Sequence, residues 1–300
     1  MPMRPFSTPI RRLPPSALTI YGDRPGSSGA PIGLFDSGVG GLTVARALAQ
    51  RLPKERLLYI ADQAHVPYGG RPLPEIEGFA ASLTGHLCEA GAKVVVMACN
   101  ISSATAMGPV RRALGRGRVY GMIEAGARAA LRQSRGRIGV LATQGTVNTG
   151  AYPLALGEAT VTQVACPRFV PLIEAGLMGS AEARAAATES LIPLFEAQVD
   201  TIILGCTHYP LLLADLSSAA LALGVRPHFV DPADELAVEL ESALARDGLL
   251  AGQTSGPHLF ATTGPLRTFM AQRATFTSGL EGRGLELHWD PVESATKPRP

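Results

Sequence analysis

From Pro31 onward, short apolar runs alternate with longer stretches in which apolar residues recur every three or four positions. The runs IGLF (32–35), LLYIA (57–61), VVVMA (94–98), VYGMI (119–123), IGVLA (138–142), VTQVA (161–165), TIILG (201–205) and HFV (228–230) suit strands with little exposed surface. Between them, TVARALAQRL (43–52) and ELAVELESALAR (235–246) have the spacing of amphipathic helices. This alternation predicts an α/β fold of parallel sheets covered by helices on both faces. In such sheets function collects at the carboxyl ends of the strands.

The pattern also repeats. IGLFDSGVG (32–40) resembles IGVLATQGT (138–146), ADQAHVP (61–67) resembles ACPRFVP (165–171), VVMACN (95–100) resembles IILGCT (202–207), and GMIEAGARAA (121–130) resembles HFVDPADELA (228–237). Four matches in one order at nearly one offset indicate two similar α/β halves. If the halves face each other, Cys99 and Cys206 converge on one cleft from opposite sides. The copies differ at two positions that matter to a thiol. Asp36 aligns with Ala142, and Ile101 aligns with His208. One cysteine therefore keeps a carboxylate partner and the other an imidazole.

Composition narrows the functional classes. With 46% hydrophobic and 17% charged residues, the 300-residue chain reads as a packed globule with room for two domains. The net charge is +2 and the arginines are scattered, which argues against nucleic acid as the main ligand. The apolar runs are far too short to span a bilayer. Four cysteines with no C-x-x-C pair predict neither a zinc site nor a disulfide scaffold, so reduced thiols in a cytoplasmic protein are expected. Residues 1–30, rich in Pro, Arg and Ser without an apolar core, read as a disordered leader and not a secretory signal.

Two opposed thiols suit one task. A free thiol has a pKa of about 8.5, so a thiolate is an accessible base near neutral pH. One thiolate can remove a proton from carbon while the other thiol returns one to the far face, inverting a stereocentre without a cofactor. Such a site also needs anion donors. The glycine-rich DSGVGG (36–41) and TQGT (143–146) sit at equivalent strand exits, and Asn100 and Thr207 follow the two cysteines. DSGVGG lacks the G-x-G-x-x-G spacing and the Walker lysine of nucleotide loops. Cys88 and Cys166 read as small buried hydrophobes. His65, His86, His228, His258 and His288 have no chemistry-bearing neighbours in the sequence. Glu174 has a plain alternative as a solvated or capping group near a helix start.

FDSGVGGLTV (35–44), VPYG (66–69), ACN (98–100), CPRFVPLIEAG (166–176) and LGCTHYPLL (204–212) resemble the signatures of the glutamate racemases, in that family's order. The resemblance covers the chain from about Pro31 onward. It implies two pseudo-symmetric flavodoxin-like domains with the active site in the cleft between them. With the repeat, the expected division is 31–123 plus 233–300 for the first domain and 124–232 for the second. The implied activity is cofactor-independent interconversion of L- and D-glutamate, supplying D-glutamate for peptidoglycan, with no metal and with a homodimer as the assembly. By position, Cys99 would act on the D-isomer and Cys206 on the L-isomer. Asp36 would assist Cys99, His208 would assist Cys206, and Glu174 would orient His208. Asp36, Ser37, Tyr68, Gly69, Asn100, Ile101, Thr143, Thr146, Thr207 and His208 match substrate-binding positions.

Two departures stand out. Ile101 replaces the family's threonine, withholding a hydroxyl donor worth about 1.5–3 kcal/mol toward a charged group. Ala125 replaces a proline, which bears only on loop stiffness. Relatives specific for aspartate carry an acidic residue where this chain has His208, so Thr207-His208 favours glutamate. A contact with DNA gyrase, which some racemases of this kind make, has only the Arg-rich leader in its favour.

Overall fold

A computed structural model describes residues 26–253, 256–277 and 280–289. Residues 1–25 of the expected leader lie outside the described residues. The backbone carbonyls of Ser28 and Gly29, by contrast, accept hydrogen bonds from Lys93 and Arg56.

The first half runs β1 (Ile32–Asp36), α1 (Leu42–Arg51), β2 (Leu57–Ala61), α2 (Leu73–Glu89), β3 (Val94–Met97), α3 (Asn100–Leu114) and β4 (Val119–Gly121). The chain continues through α4 (Met122–Gln133), β5 (Arg137–Ala142), α5 (Gln144–Thr149), α6 (Ala151–Leu156) and β6 (Thr160–Ala165). Then come α7 (Phe169–Glu174), α8 (Ala181–Glu196), β7 (Thr201–Gly205), α9 (Leu213–Ala222) and β8 (His228–Val230). The described chain closes with α10 (Pro232–Arg246), β9 (His258–Thr262), α11 (Leu266–Phe276) and β10 (Gly282–Glu286).

The strands form two all-parallel sheets, ordered β10-β9-β2-β1-β3-β4 and β6-β5-β7-β8. The block β2-β1-β3-β4 repeats as β6-β5-β7-β8, so the sequence repeat is a repeat of topology. Both sheets are covered on two faces because alternate residues point opposite ways. In the first sheet, Phe35, Leu58, Ile60, Val95 and Met97 pack with Leu83 and Leu87 of α2 and with Ala106 and Val110 of α3. Ile32, Leu34, Leu57 and Tyr59 face the other way, onto a core that includes α1 and α10. In the second sheet, Ile138, Val140 and Ile203 meet α4 and α6, whereas Leu141, Ile202 and Leu204 belong to the same core as α1 and α10. That shared core joins the halves.

Helix starts follow local chemistry. Asp231 caps α10 by accepting the Ala233 N–H at 2.9 Å, with Pro232 in the first turn where its missing N–H costs nothing. Ser180 caps α8 in the same way through Ala183 at 3.0 Å.

Three sequence expectations need correction. VYGMI is not one strand: β4 ends at Gly121 and Met122 opens α4, because Ile123, Ala127 and Ala130 continue a helical apolar face into the second sheet. VVVMA loses Ala98, whose N–H still bonds the Phe35 carbonyl. Strands β9 and β10 were not anticipated. β10 lies at a sheet edge with mostly exposed residues, so it needs no apolar run. Among the described residues, no helix is long and apolar enough to cross a membrane.

Candidate active site

The carboxyl ends of β1, β3, β5 and β7 open onto one cavity. The first half lines it with Asp36, Ser37, Tyr68, Gly69, Cys99, Asn100 and Ile101. The second half lines it with Thr143, Thr146, Glu174, Cys206, Thr207 and His208. All the candidate residues named from the sequence thus meet at one place. Val66, Pro67, Val170 and Gly205 also line the cavity, and nothing in their type set them apart from packing residues. Cys88 and Cys166 do not line it.

Cys99 sits at the turn from β3 into α3 as the residue capping that helix, and it is buried. Burial is the main reason its thiol is pushed up to about 12, with the Asp36 charge adding to it. The Ser102 backbone N–H and hydroxyl act in the opposite direction without prevailing. Cys99 is therefore a protonated thiol near pH 7.

Asp36 ends β1 and is buried. Its Oδ2 accepts the Gly41 N–H at 2.7 Å and the Thr207 hydroxyl at 3.4 Å. Among the described residues its buried Oδ1 has no hydrogen-bond partner. Desolvation raises its pKa, opposed by the nearby His208 and by backbone N–H groups of the 37–41 loop. An unmatched buried carboxylate oxygen at a cavity wall is ready to accept from a substrate ammonium or a thiol.

Cys206 follows β7 and has a different partner. Its sulfur lies 3.9 Å from His208 Nδ1, and His208 Nε2 lies 3.2 Å from a Glu174 oxygen. Burial alone would lower the pKa of this imidazole. The contacts with Cys206 and Glu174, together with the Asp36 charge, overcome that and lift it to about 10. The rings of His208 and of Phe276 in α11 meet nearly at right angles, with centroids 5.7 Å apart. Glu174 is the last residue of α7, so it does not occupy the helix-start position that a plain capping role would require.

The two halves touch closely here. A side chain at Gly40 would come within 2.4 Å of both His208 Nδ1 and Thr207 Oγ1, so only glycine admits this approach. Thr43 fixes the same seam by donating to the Thr207 carbonyl at 2.9 Å. Asn100 crosses the other way: its Oδ1 accepts the Tyr152 hydroxyl at 2.7 Å, and its buried Nδ2 has no partner among the described residues. Tyr152, which the sequence did not signal, therefore sets which end of the amide serves as donor. Ile101 is buried in a cluster with Tyr68, Ile76 and Cys99, and its Cδ1 fills the space where Gly145 lacks a side chain.

The sequence profile of the Asp/Glu/Hydantoin racemases matches residues 41–240. A glutamate racemase from Parafrankia sp. (strain EAN1pec) is 43% identical over 247 residues, covering 81% of this chain and 88% of that protein. One from Lysinibacillus sphaericus is 40% identical, covering 86% of this chain and 97% of that protein. Among solved structures, a glutamate racemase isoform from Bacillus anthracis superposes with a TM-score of 0.80 at 36% identity, over 85% of this chain and 96% of that one. Glutamate racemase from Francisella tularensis, solved with D-glutamate, gives 0.79 at 30% identity over 86% and 97%. Alike in sequence and in fold over most of its length, the chain belongs to the Asp/Glu/Hydantoin racemase family and, within it, to the glutamate racemases.

Proposed function

We propose that this chain racemises glutamate by proton transfer between two thiols, and one observation carries the reading. Cys99 and Cys206 leave strands of different sheets, line one cavity, and have unlike partners. With L-glutamate bound, the Cys206 thiolate takes the α-proton, and the flattened carbanion takes a proton from Cys99 on the opposite face. D-glutamate forms, Cys99 becomes the thiolate and Cys206 the thiol; the reverse reaction restores the start. A Cys99 thiol raised by burial fits the role of acid in the L-to-D direction, and an imidazolium fits beside Cys206. His208 balances the Cys206 thiolate, Glu174 orients His208, and Asp36 assists Cys99.

The substrate contacts divide by chemistry. Ser37, Asn100 through Nδ2 and one hydroxyl of the Thr143–Thr146 pair offer donors for carboxylate oxygens, Thr207 adds its own by turning its hydroxyl from Asp36, and Asp36 Oδ1 offers an acceptor for the ammonium. Tyr68, Gly69 and Ile101 shape the wall. Both proton carriers are side chains of this chain, so the step as written uses no cofactor. Supply of D-glutamate for peptidoglycan, a cytoplasmic location and a homodimer complete the proposal. Its domains are 31–123 plus 233–300 and 124–232, a division supported by which strands share a sheet.

The test is isotope exchange. In deuterated water, L- and D-glutamate given separately should each yield the opposite isomer with deuterium at the α-carbon, ending in a racemate. No exchange with either isomer would refute the reading, and faster exchange with aspartate would redirect it to that substrate.

A further inference from the structure

Asp62, immediately after β2, is completely buried. A carboxylate so placed must be matched by donors. Its Oδ2 accepts the Tyr68 hydroxyl at 2.6 Å and lies 2.9 Å from His65 Nδ1. Its Oδ1 accepts the Thr263 hydroxyl at 2.7 Å and the Trp289 indole N–H at 2.8 Å. His65 Nδ1 also lies 3.1 Å from Oδ1, so that ring bridges both oxygens. The carboxylate as a whole thus joins two parts of the chain, the loop that carries Val66–Gly69 along the cavity wall and the segments following β9 and β10.

Packing reinforces the bridge. The His65 ring stacks on Phe79 at 4.0 Å and meets Trp289 edge-on at 4.7 Å. Arg71 Nε donates to the His65 carbonyl at 2.6 Å, and Thr263 Oγ1 also accepts the Ala64 N–H at 3.0 Å. Of Asp62 and the side chains bonded to it, Tyr68 lines the cavity and the others do not.

We propose that Asp62 is a positioning residue that clamps the Val66–Gly69 wall to the C-terminal strands, with Thr263 and Trp289 as its outer anchors. The identity of the ligand rests on the racemase reading; the clamp does not. Its consequence is that two residues remote in sequence, neither touching the cavity, set how tightly substrate is held.

Thr263→Val keeps the shape and deletes the donor to Asp62 together with the acceptor for the Ala64 N–H, and Trp289→Phe deletes the indole donor while trimming the ring that meets His65 and Phe79. In the unliganded chain, each should speed amide hydrogen exchange across residues 68–71 by about ten-fold, the loss expected for one hydrogen bond to a charged group. Each should also raise KM for glutamate by about ten-fold on the same grounds, with kcat within about two-fold of the parent. Tyr120→Phe is the control: it deletes a hydroxyl bonded to the Gly117 carbonyl on the opposite edge strand β4, and it should change neither quantity. Unchanged exchange in both variants overturns the clamp whatever the activity. Faster exchange with an unchanged KM in an active enzyme overturns its positioning role. If the parent racemises nothing while exchange still accelerates, the function falls and the clamp stands.

Discussion

Cys99 and Cys206 have the same place in two copies of one topology, yet their surroundings differ in charge. Cys99→Ser and Cys206→Ser should each reduce racemisation below detection in the isotope assay, because a serine hydroxyl is far too weak an acid to serve as either carrier at neutral pH. Retention of full activity by either variant would end the two-thiol mechanism. His208 gives a pH signature. Its folded pKa of about 10 stands above its ordinary value of about 6.5, so its contribution to stability is complete below 6.5 and is lost as pH rises through 10. The thermal midpoint should fall between those limits, and His208→Gln should flatten that fall. Ile101→Thr should lower KM for glutamate by restoring a hydroxyl at the wall, while costing about 1–2 kcal/mol of packing in the Tyr68–Ile76–Cys99 cluster. Kinetics and denaturant titration separate the two effects. The two thiols, Asp36, His208, Asn100, Thr207 and the loop of Thr143 and Thr146 could be read from the repeat and the strand exits, whereas Ser37, Tyr68 and Glu174 came only from the resemblance to the glutamate racemases. Tyr152 and Asp62 came from neither, since each acts through a bond to a residue distant in the chain or in another turn.

The glycine-rich turn into α1 shows how an element enforces that geometry. Gly41 donates to Asp36, Thr43 reaches the Thr207 carbonyl, and Gly40 leaves room for His208. Gly40→Ala should therefore push His208 away from Cys206 and lower kcat by about 100-fold or more, as expected for a displacement of about 1 Å in an active site. An unchanged kcat would show that the turn yields instead. Helical spacing identified α1 and α10, each with one apolar face on the core, and unbroken apolar runs identified most of the strands, which are buried on both faces. It misplaced the β4–α4 junction, where an apolar run continues from a strand into a helix without any polar break. It passed over β10, whose partner on one side only removes the need for an apolar signature.

Across the whole molecule, the halves are linked by the shared core, and within the first half, away from the cavity, a buried ion pair ties together the segments around β2 and β3. Lys93 Nζ lies 2.5 Å from Glu55 and donates to the carbonyls of Ser28 at 2.7 Å and Leu249 at 2.8 Å. Glu55 in turn accepts the Ala251 N–H at 2.8 Å. Lys93→Met should cost about 3–5 kcal/mol by leaving that carboxylate buried and uncompensated, whereas Lys93→Met with Glu55→Leu should recover much of the loss. Equal stability of the single and double variants, by thermal melting, would show that charge burial is not the cause. The pairing of the repeat was visible in the sequence; the return of the chain to the first sheet through β9 was not, because nothing local marks which sheet a late strand will join. That return has a cost during synthesis. β2 is apolar throughout and, once paired with β1, finds its other neighbour only in β9, made after the entire four-stranded sheet. A nascent chain that has not yet released His258–Thr262 from the ribosome therefore carries an open, sticky edge at LLYIA, and translation pausing in that window is when this protein is most exposed to aggregation and most in need of a chaperone.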